Sequence, residues 1–263
     1  MSPNIMATIL IPLPGEGFDP TEAGVPWQQL VRRGYRVCFA TPDARPARAD
    51  PRVLDGTGFG PWRSLLRAHA SGRRAYEAMT ADPAFRAPLS YRQAESTTID
   101  GLILPGGHAA GMREYLVSGV LQRIVVRAFE RRIPVGAICH GVVLAARSRG
   151  ADGRSVLFGK RTTALTRSLE LTAWALTALW LGNYYRTYPE TVEAEVTRAL
   201  ARRSDFERGP LALRRDDERH LERGFTVRDG HYLSARWPGD AHRFAAEFIE
   251  LLDAACAAEG ARA

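Results

Sequence analysis

One stretch of the chain, Arg132-Ile-Pro-Val-Gly-Ala-Ile-Cys139-His140-Gly141-Val-Val-Leu-Ala-Ala-Arg147, constrains the fold more than any other. It reads as a short apolar strand, a cysteine at a sharp turn, and then a helix. A strand-to-helix turn of this kind lifts one reactive side chain above a sheet and is strained in doing so. Gly141 lets the helix backbone pass close to the strand beneath it. The helix N-terminus behind Cys139 is expected to favour the thiolate, which is the nucleophilic form. His140 adds a titratable neighbour, as a general base or as a thiolate partner.

The rest of the chain supplies the sheet that such a turn needs. Residues 6–13 form a continuous apolar run, the pattern of a strand buried on both faces. Residues 18–33 carry helical periodicity, and 35–40 give a second strand. Residues 42–60 are rich in Pro, Asp, Gly and Arg and read as a loop. A helix is predicted over 61–80, opened by Pro61. Ile99 to Leu104 is a strand that runs into Pro105-Gly106-Gly107-His108. Residues 112–132 are mainly helical, with a break near Ser118 and Gly119. Farther on, the pattern predicts a strand over 155–165, helices over 168–185 and 190–203, and a hairpin over 225–235 turning at Asp229-Gly230. A last helix covers about 240–256. Strands alternating with helices predict an α/β fold, a flavodoxin-like doubly wound parallel sheet. Its ligand site belongs beyond the carboxyl ends of the strands, where Cys139 and Gly107 both fall. All 263 residues are read as a single domain with a helical insertion at about 171–223 that caps the pocket.

Composition narrows the function. The net charge is +7, and Lys160 is the only lysine. The arginine pairs at 32–33, 73–74, 131–132, 202–203 and 214–215 are scattered among acids. A nucleic-acid surface would gather them, so no nucleic-acid partner is expected. Three cysteines make no disulfide framework in a chain this long. Cys38 reads as a buried strand residue, and Cys256 sits on an amphipathic helix. The most apolar later stretch, Trp174 to Leu181, is too short to span a bilayer. No leader is apparent, and a cytoplasmic protein without a membrane partner is expected.

Around the cysteine, Gly106 and Gly107 free backbone amides to face a developing oxyanion, and the Gly107 and His140 amides are the candidate pair. His108 is a candidate pocket residue. Arg236, after the last strand, either binds a substrate carboxylate or pairs with Asp240. No zinc spacing, GxGxxG or Walker loop occurs, so neither a metal nor a cofactor is expected.

Ala137-Ile-Cys-His-Gly141, the Pro-Gly-Gly-His loop and the acidic Glu22 opening the first helix together resemble the ThiJ/PfpI superfamily. That group is related to class I glutamine amidotransferases. It includes protein deglycases, intracellular proteases, chaperones and glyoxalase III enzymes. The resemblance covers residues 6–170 and the closing strand and helix. It implies that Glu22 hydrogen-bonds the cysteine and tunes its acidity. Residues 160–170 resemble the segment of the heat-shock chaperone and glyoxalase III branch that carries the third triad residue, which makes Glu170 the candidate to orient His140. A solvated first-turn carboxylate is the alternative for both glutamates. The implied activity is cofactor-free cysteine chemistry on a small reactive carbonyl, glyoxalase III-like or protein deglycase-like. Superfamily members are commonly dimers, so a homodimer is expected. Two other readings stay open. One is an amidotransferase-like hydrolase or peptidase using His220 and Glu222, although these lie in a charge run. The other is a stress chaperone or redox sensor in which Cys139 oxidises without turnover.

Overall fold

The computed structural model describes residues 7–212 and 214–260. Its centre is a seven-stranded sheet. The strands in chain order are β1 (Thr8–Pro12), β2 (Arg36–Thr41), β3 (Leu89–Ser90), β4 (Gly101–Leu104), β5 (Val135–Ile138), β6 (Thr226–Asp229) and β7 (Tyr232–Ala235). They lie side by side as β3-β2-β1-β4-β5-β7-β6. All neighbours run parallel except the β6–β7 hairpin at the edge. β4 and β5 are buried along their whole length, as expected for strands covered on both faces. Met6, placed at the start of the first predicted strand, lies outside the described residues.

Helices cover both faces. On one side α1 (Pro20–Arg32) packs against α2 (Ala70–Ala81) and the C-terminal α7 (Ala241–Gly260). On the other lie α3 (Gly119–Glu130), α4 (Gly141–Arg147) and α6 (Val192–Ala199). Each start follows from local chemistry. Asp19 caps α1, accepting the Thr21 and Glu22 amides at 2.7 and 3.2 Å, with Pro20 in the first turn. Ser118 caps α3, which accounts for the break expected there.

Two expectations give way to tertiary packing. Residues 61–80 are not one helix. The chain is extended at Arg67 and His69, and the Ala68 N–H donates to the Val53 carbonyl at 2.7 Å. Breaking the helix there buries Ala68 in a small second core with Val53, Phe59 and Tyr185. Residues 155–165 are not a strand either. They form turns with isolated bridges at Ser155 and Thr162. The segment docks on β7, next to the edge strand, Thr163 N–H donating to Ser234 Oγ at 2.9 Å. The expected loop at 42–60 also contains a two-residue strand, Arg48–Ala49, and a short helix, Pro51–Asp55.

In the segment expected to be helical, α5 (Arg167–Leu181) precedes α6, and the described residues of 200–223 hold only short helical turns. α5 is fastened to residues 50–60. Trp180 Nε1 donates to the Gly58 carbonyl at 2.7 Å, and the Tyr184 hydroxyl to Asp50 Oδ2 at 2.5 Å. Among the described residues, no helix is long and apolar enough to cross a membrane.

Candidate active site

Three loops meet at the carboxyl ends of β1, β4 and β5. Cys139 follows β5 directly and holds φ at +57°, the left-handed region that costs a non-glycine residue of the order of 1–3 kcal/mol. Packing enforces this turn. A Cβ on Gly141 would stand 1.9 Å from the Leu104 carbonyl oxygen, so α4 starts in contact with β4. A Cβ on Gly106 would lie 2.6 Å from the His140 nitrogen and 3.0 Å from the Cys139 Cβ. The 105–108 loop thus reaches the cysteine only because it carries no side chain at 106.

Glu22 comes to the same point from the first turn of α1. It is fully buried, unlike a solvated first-turn carboxylate. Its Oε2 accepts the Gly106 N–H at 2.8 Å, and its Oε1 has no geometrically regular hydrogen bond. The carboxyl also interacts with the Cys139 thiol. His140 Nδ1 stands 3.6 Å from the Cys139 sulfur. The His108 ring meets that of His140 edge-on at 4.9 Å, and Tyr185 on its other side at 4.7 Å. Tyr185 belongs to the second core, so the cap of 50–68 and α5 bears on the site through its ring contact and backbone hydrogen bond to His108.

The electrostatics reverse one expectation. Cys139 is 1% exposed, and burial pushes its thiol well above the usual range, followed by the charges of Glu22 and Asp19. The His140 backbone N–H hydrogen-bonds the sulfur and pulls the other way. Desolvation outweighs the helix terminus, so the thiol is held as S–H in this closed arrangement. Burial likewise raises Glu22, with the charge of Asp19 adding to it, and raises Asp19 to about 6. Burial lowers His108 to about 4 and His140 well below its usual value. Both imidazoles are therefore neutral at pH 7, able to accept a proton or to ligate.

The remaining candidates go elsewhere. Glu170 is buried, but its Oε2 accepts the Val192 N–H at 2.9 Å and its Oε1 lies 3.6 Å from Arg186. No hydrogen bond joins it to His140 among the described residues, and the charges acting on His140 are those of His108 and Arg147. The expectation that Glu170 orients His140 is not met in this arrangement, because α5 turns its first carboxylate toward the start of α6. Arg236 takes the second of its two readings. It forms a two-pronged pair with Asp240 at 2.9 Å and donates to the Pro210 carbonyl at 2.6 Å. His220 is half-exposed and bonds Asp217 at 2.9 Å. Sequence reasoning missed Asp19 and Tyr185. The Asp-Pro pair before an apolar periodic run marks a capped helix start and so located Asp19 in principle. Nothing local marks Tyr185, whose place depends on how the cap docks.

A model of ThiJ/PfpI family-like proteins matches residues 13–210. An uncharacterised protein of Schizosaccharomyces pombe, C14C4.04, is 31% identical over 144 residues, which is 54% of this chain. The match spans about half of that relative's own length, 51%. Among solved structures, the Francisella tularensis rapid encystment protein of 24 kDa aligns with a TM-score of 0.68 at 15% identity, over 94% of this chain and 99% of that one. Glyoxalase III from Candida albicans aligns at 0.64 with 19% identity, over 94% and 97%. Drosophila melanogaster DJ-1beta aligns at 0.54 with 16% identity, over 97% of each. At such identities these likenesses establish the fold, a flavodoxin-like α/β sheet. The family match covers most of the chain and includes the cysteine turn, and the chain belongs to the ThiJ/PfpI-like family.

Proposed function

We propose that this protein is a cofactor-free, cysteine-dependent enzyme that converts a small 2-oxoaldehyde to a 2-hydroxy acid, in the manner of glyoxalase III. One observation carries the reading: a cysteine in a strained turn, with a neutral imidazole 3.6 Å from its sulfur and a buried carboxyl against it. The similarity to a solved glyoxalase III supports the same chemistry.

The sulfur attacks the aldehyde carbon. Its proton passes by way of Glu22 to the new alkoxide oxygen, giving a hemithioacetal. The His140 amide, which already points at the sulfur, and the Gly107 amide hold that oxygen as charge develops. Neutral His140 removes the hydrogen from the former aldehyde carbon and returns it to the neighbouring carbon, while the hemithioacetal hydroxyl proton moves to the ketone oxygen. This turns the ketone into a hydroxyl and leaves a thioester on Cys139. Water cleaves the thioester, restores the thiol and releases the acid. One water is consumed, and no net oxidation occurs. The same nucleophile acting on a carbonyl adduct of a protein side chain would give the deglycase version.

Lactate formed from methylglyoxal tests the proposal. Wild type turns over, and Cys139→Ala loses at least about a thousandfold in rate. Equal rates for the two proteins, or no turnover by wild type, would overturn it.

A further inference from the structure

His108, Cys139 and His140 do more than pack together. One donor atom from each of the three lies within 4.8 Å of the others. Two imidazoles and a sulfur are the donor set of a thiophilic d10 cation. At the bond lengths such an ion adopts, neighbouring donors of a tetrahedron stand roughly 3.3–3.7 Å apart. The His140 Nδ1–Cys139 Sγ pair is already at 3.6 Å. The remaining donor separations, within 4.8 Å, close on binding by movement of the His108 ring.

A second observation points the same way. The His108 ring hydrogen-bonds the Tyr185 backbone, while its Nδ1 is buried without a regular partner. A buried ring nitrogen left unpaired is costly, and a bound cation would repair it. The ring itself is held between His140 and Tyr185. Around the three donors stand the buried carboxyls of Glu22 and Asp19, which favour added positive charge.

We propose that His108, Cys139 and His140 form a three-donor site for a thiophilic divalent cation, with zinc as the natural occupant and a fourth position left open. Binding replaces the thiol proton. The S–H bond breaks, a sulfur–metal bond forms, and the proton leaves through Glu22 to solvent. Both histidines are neutral at pH 7 and need lose no proton to ligate. The ion occupies the sulfur that would attack a carbonyl, so metal and substrate exclude one another. The exclusion rests on the proposed carbonyl chemistry; the binding does not.

Cobalt(II) titration of the reduced, chelator-treated full chain provides the test. One equivalent binds per chain, with a sulfur-to-cobalt charge-transfer band in the near ultraviolet and intense tetrahedral bands in the visible. Cys139→Ser abolishes the charge-transfer band, and His108→Gln weakens binding at least about tenfold. A weak octahedral spectrum, or spectra and affinities unchanged in both variants, would overturn the site. If either variant misfolds, wild type alone suffices. Zinc slows iodoacetamide alkylation of Cys139, followed by mass spectrometry of its peptide, at least about tenfold, and a chelator restores it. Alkylation indifferent to zinc overturns the proposal. None of these measurements depends on whether methylglyoxal is turned over.

Discussion

Two buried polar clusters lie close to the carboxyl edge of the sheet, and they are built in opposite ways. Around Arg236 the hydrogen bonds are complete: two go to Asp240, one goes to the Pro210 carbonyl, and Asp240 also receives the Phe225 amide. Around Cys139 they are not. Glu22 Oε1 and His108 Nδ1 lack regular partners, and the backbone at the cysteine is strained. A buried ion pair with every prong engaged holds structure together. A cluster with idle donors and acceptors keeps them for something that is not part of the chain. The difference sets the two clusters apart where residue type alone does not, since both are made of charged and titratable side chains.

The contrast breaks most visibly at Arg236. Arg236→Ala strands the Asp240 carboxyl, and urea unfolding should show a loss of about 3–5 kcal/mol. Replacing both residues with apolar ones should recover most of it. A loss under about 1 kcal/mol for Arg236→Ala would mean that the pair is not structural. Asp216 is an intermediate case. Its Oδ2 accepts the Arg243 N–H at 2.8 Å, yet its Oδ1 has no partner. Burial raises its pKa from 3.8 to about 8. Folding therefore favours its protonated form, and its contribution is full below pH 4 and is lost as pH rises toward 8. Asp216→Asn should flatten the fall of unfolding free energy over that window by at most about 1.4 kcal/mol per pH unit.

Glu170 sharpens the comparison from the other side. Glu170→Gln keeps a carbonyl oxygen for Val192, so it should cost only about 1 kcal/mol and leave the pH profile of turnover in place. A shifted profile would instead tie Glu170 to His140. The smallest effect is expected at Glu22. Glu22→Gln removes the carboxyl whose charge and hydrogen bond both raise the thiol, so Cys139 becomes more acidic and its alkylation at alkaline pH should rise severalfold. Unchanged alkylation would show that the carboxyl does not govern the sulfur.

Much of this was legible along the chain. The strand-turn-helix at 132–147, the glycines at 106 and 141 and the early acid at 22 are local signals, and each falls where the sheet needs it. The partners of Glu170 and Arg236 were not. Both choices are made by segments distant in sequence, the start of α6 and the loop carrying Pro210, and their docking is settled by packing rather than pattern. The helix break at Ala68 has the same origin, because a favourable local periodicity yields to burial of one methyl group against Val53 and Tyr185. The acidity expected of Cys139 failed for a related reason. Helix position can be read from a sequence, but the depth of burial that outweighs it emerges only once the cap is in place.

The backbone at residue 139 carries a last consequence. A chain selected for durability alone would place glycine there, since glycine occupies that conformation without penalty. A cysteine here costs robustness, so any substitution campaign ranked by melting temperature will tend to discard the one atom on which the proposed reaction depends.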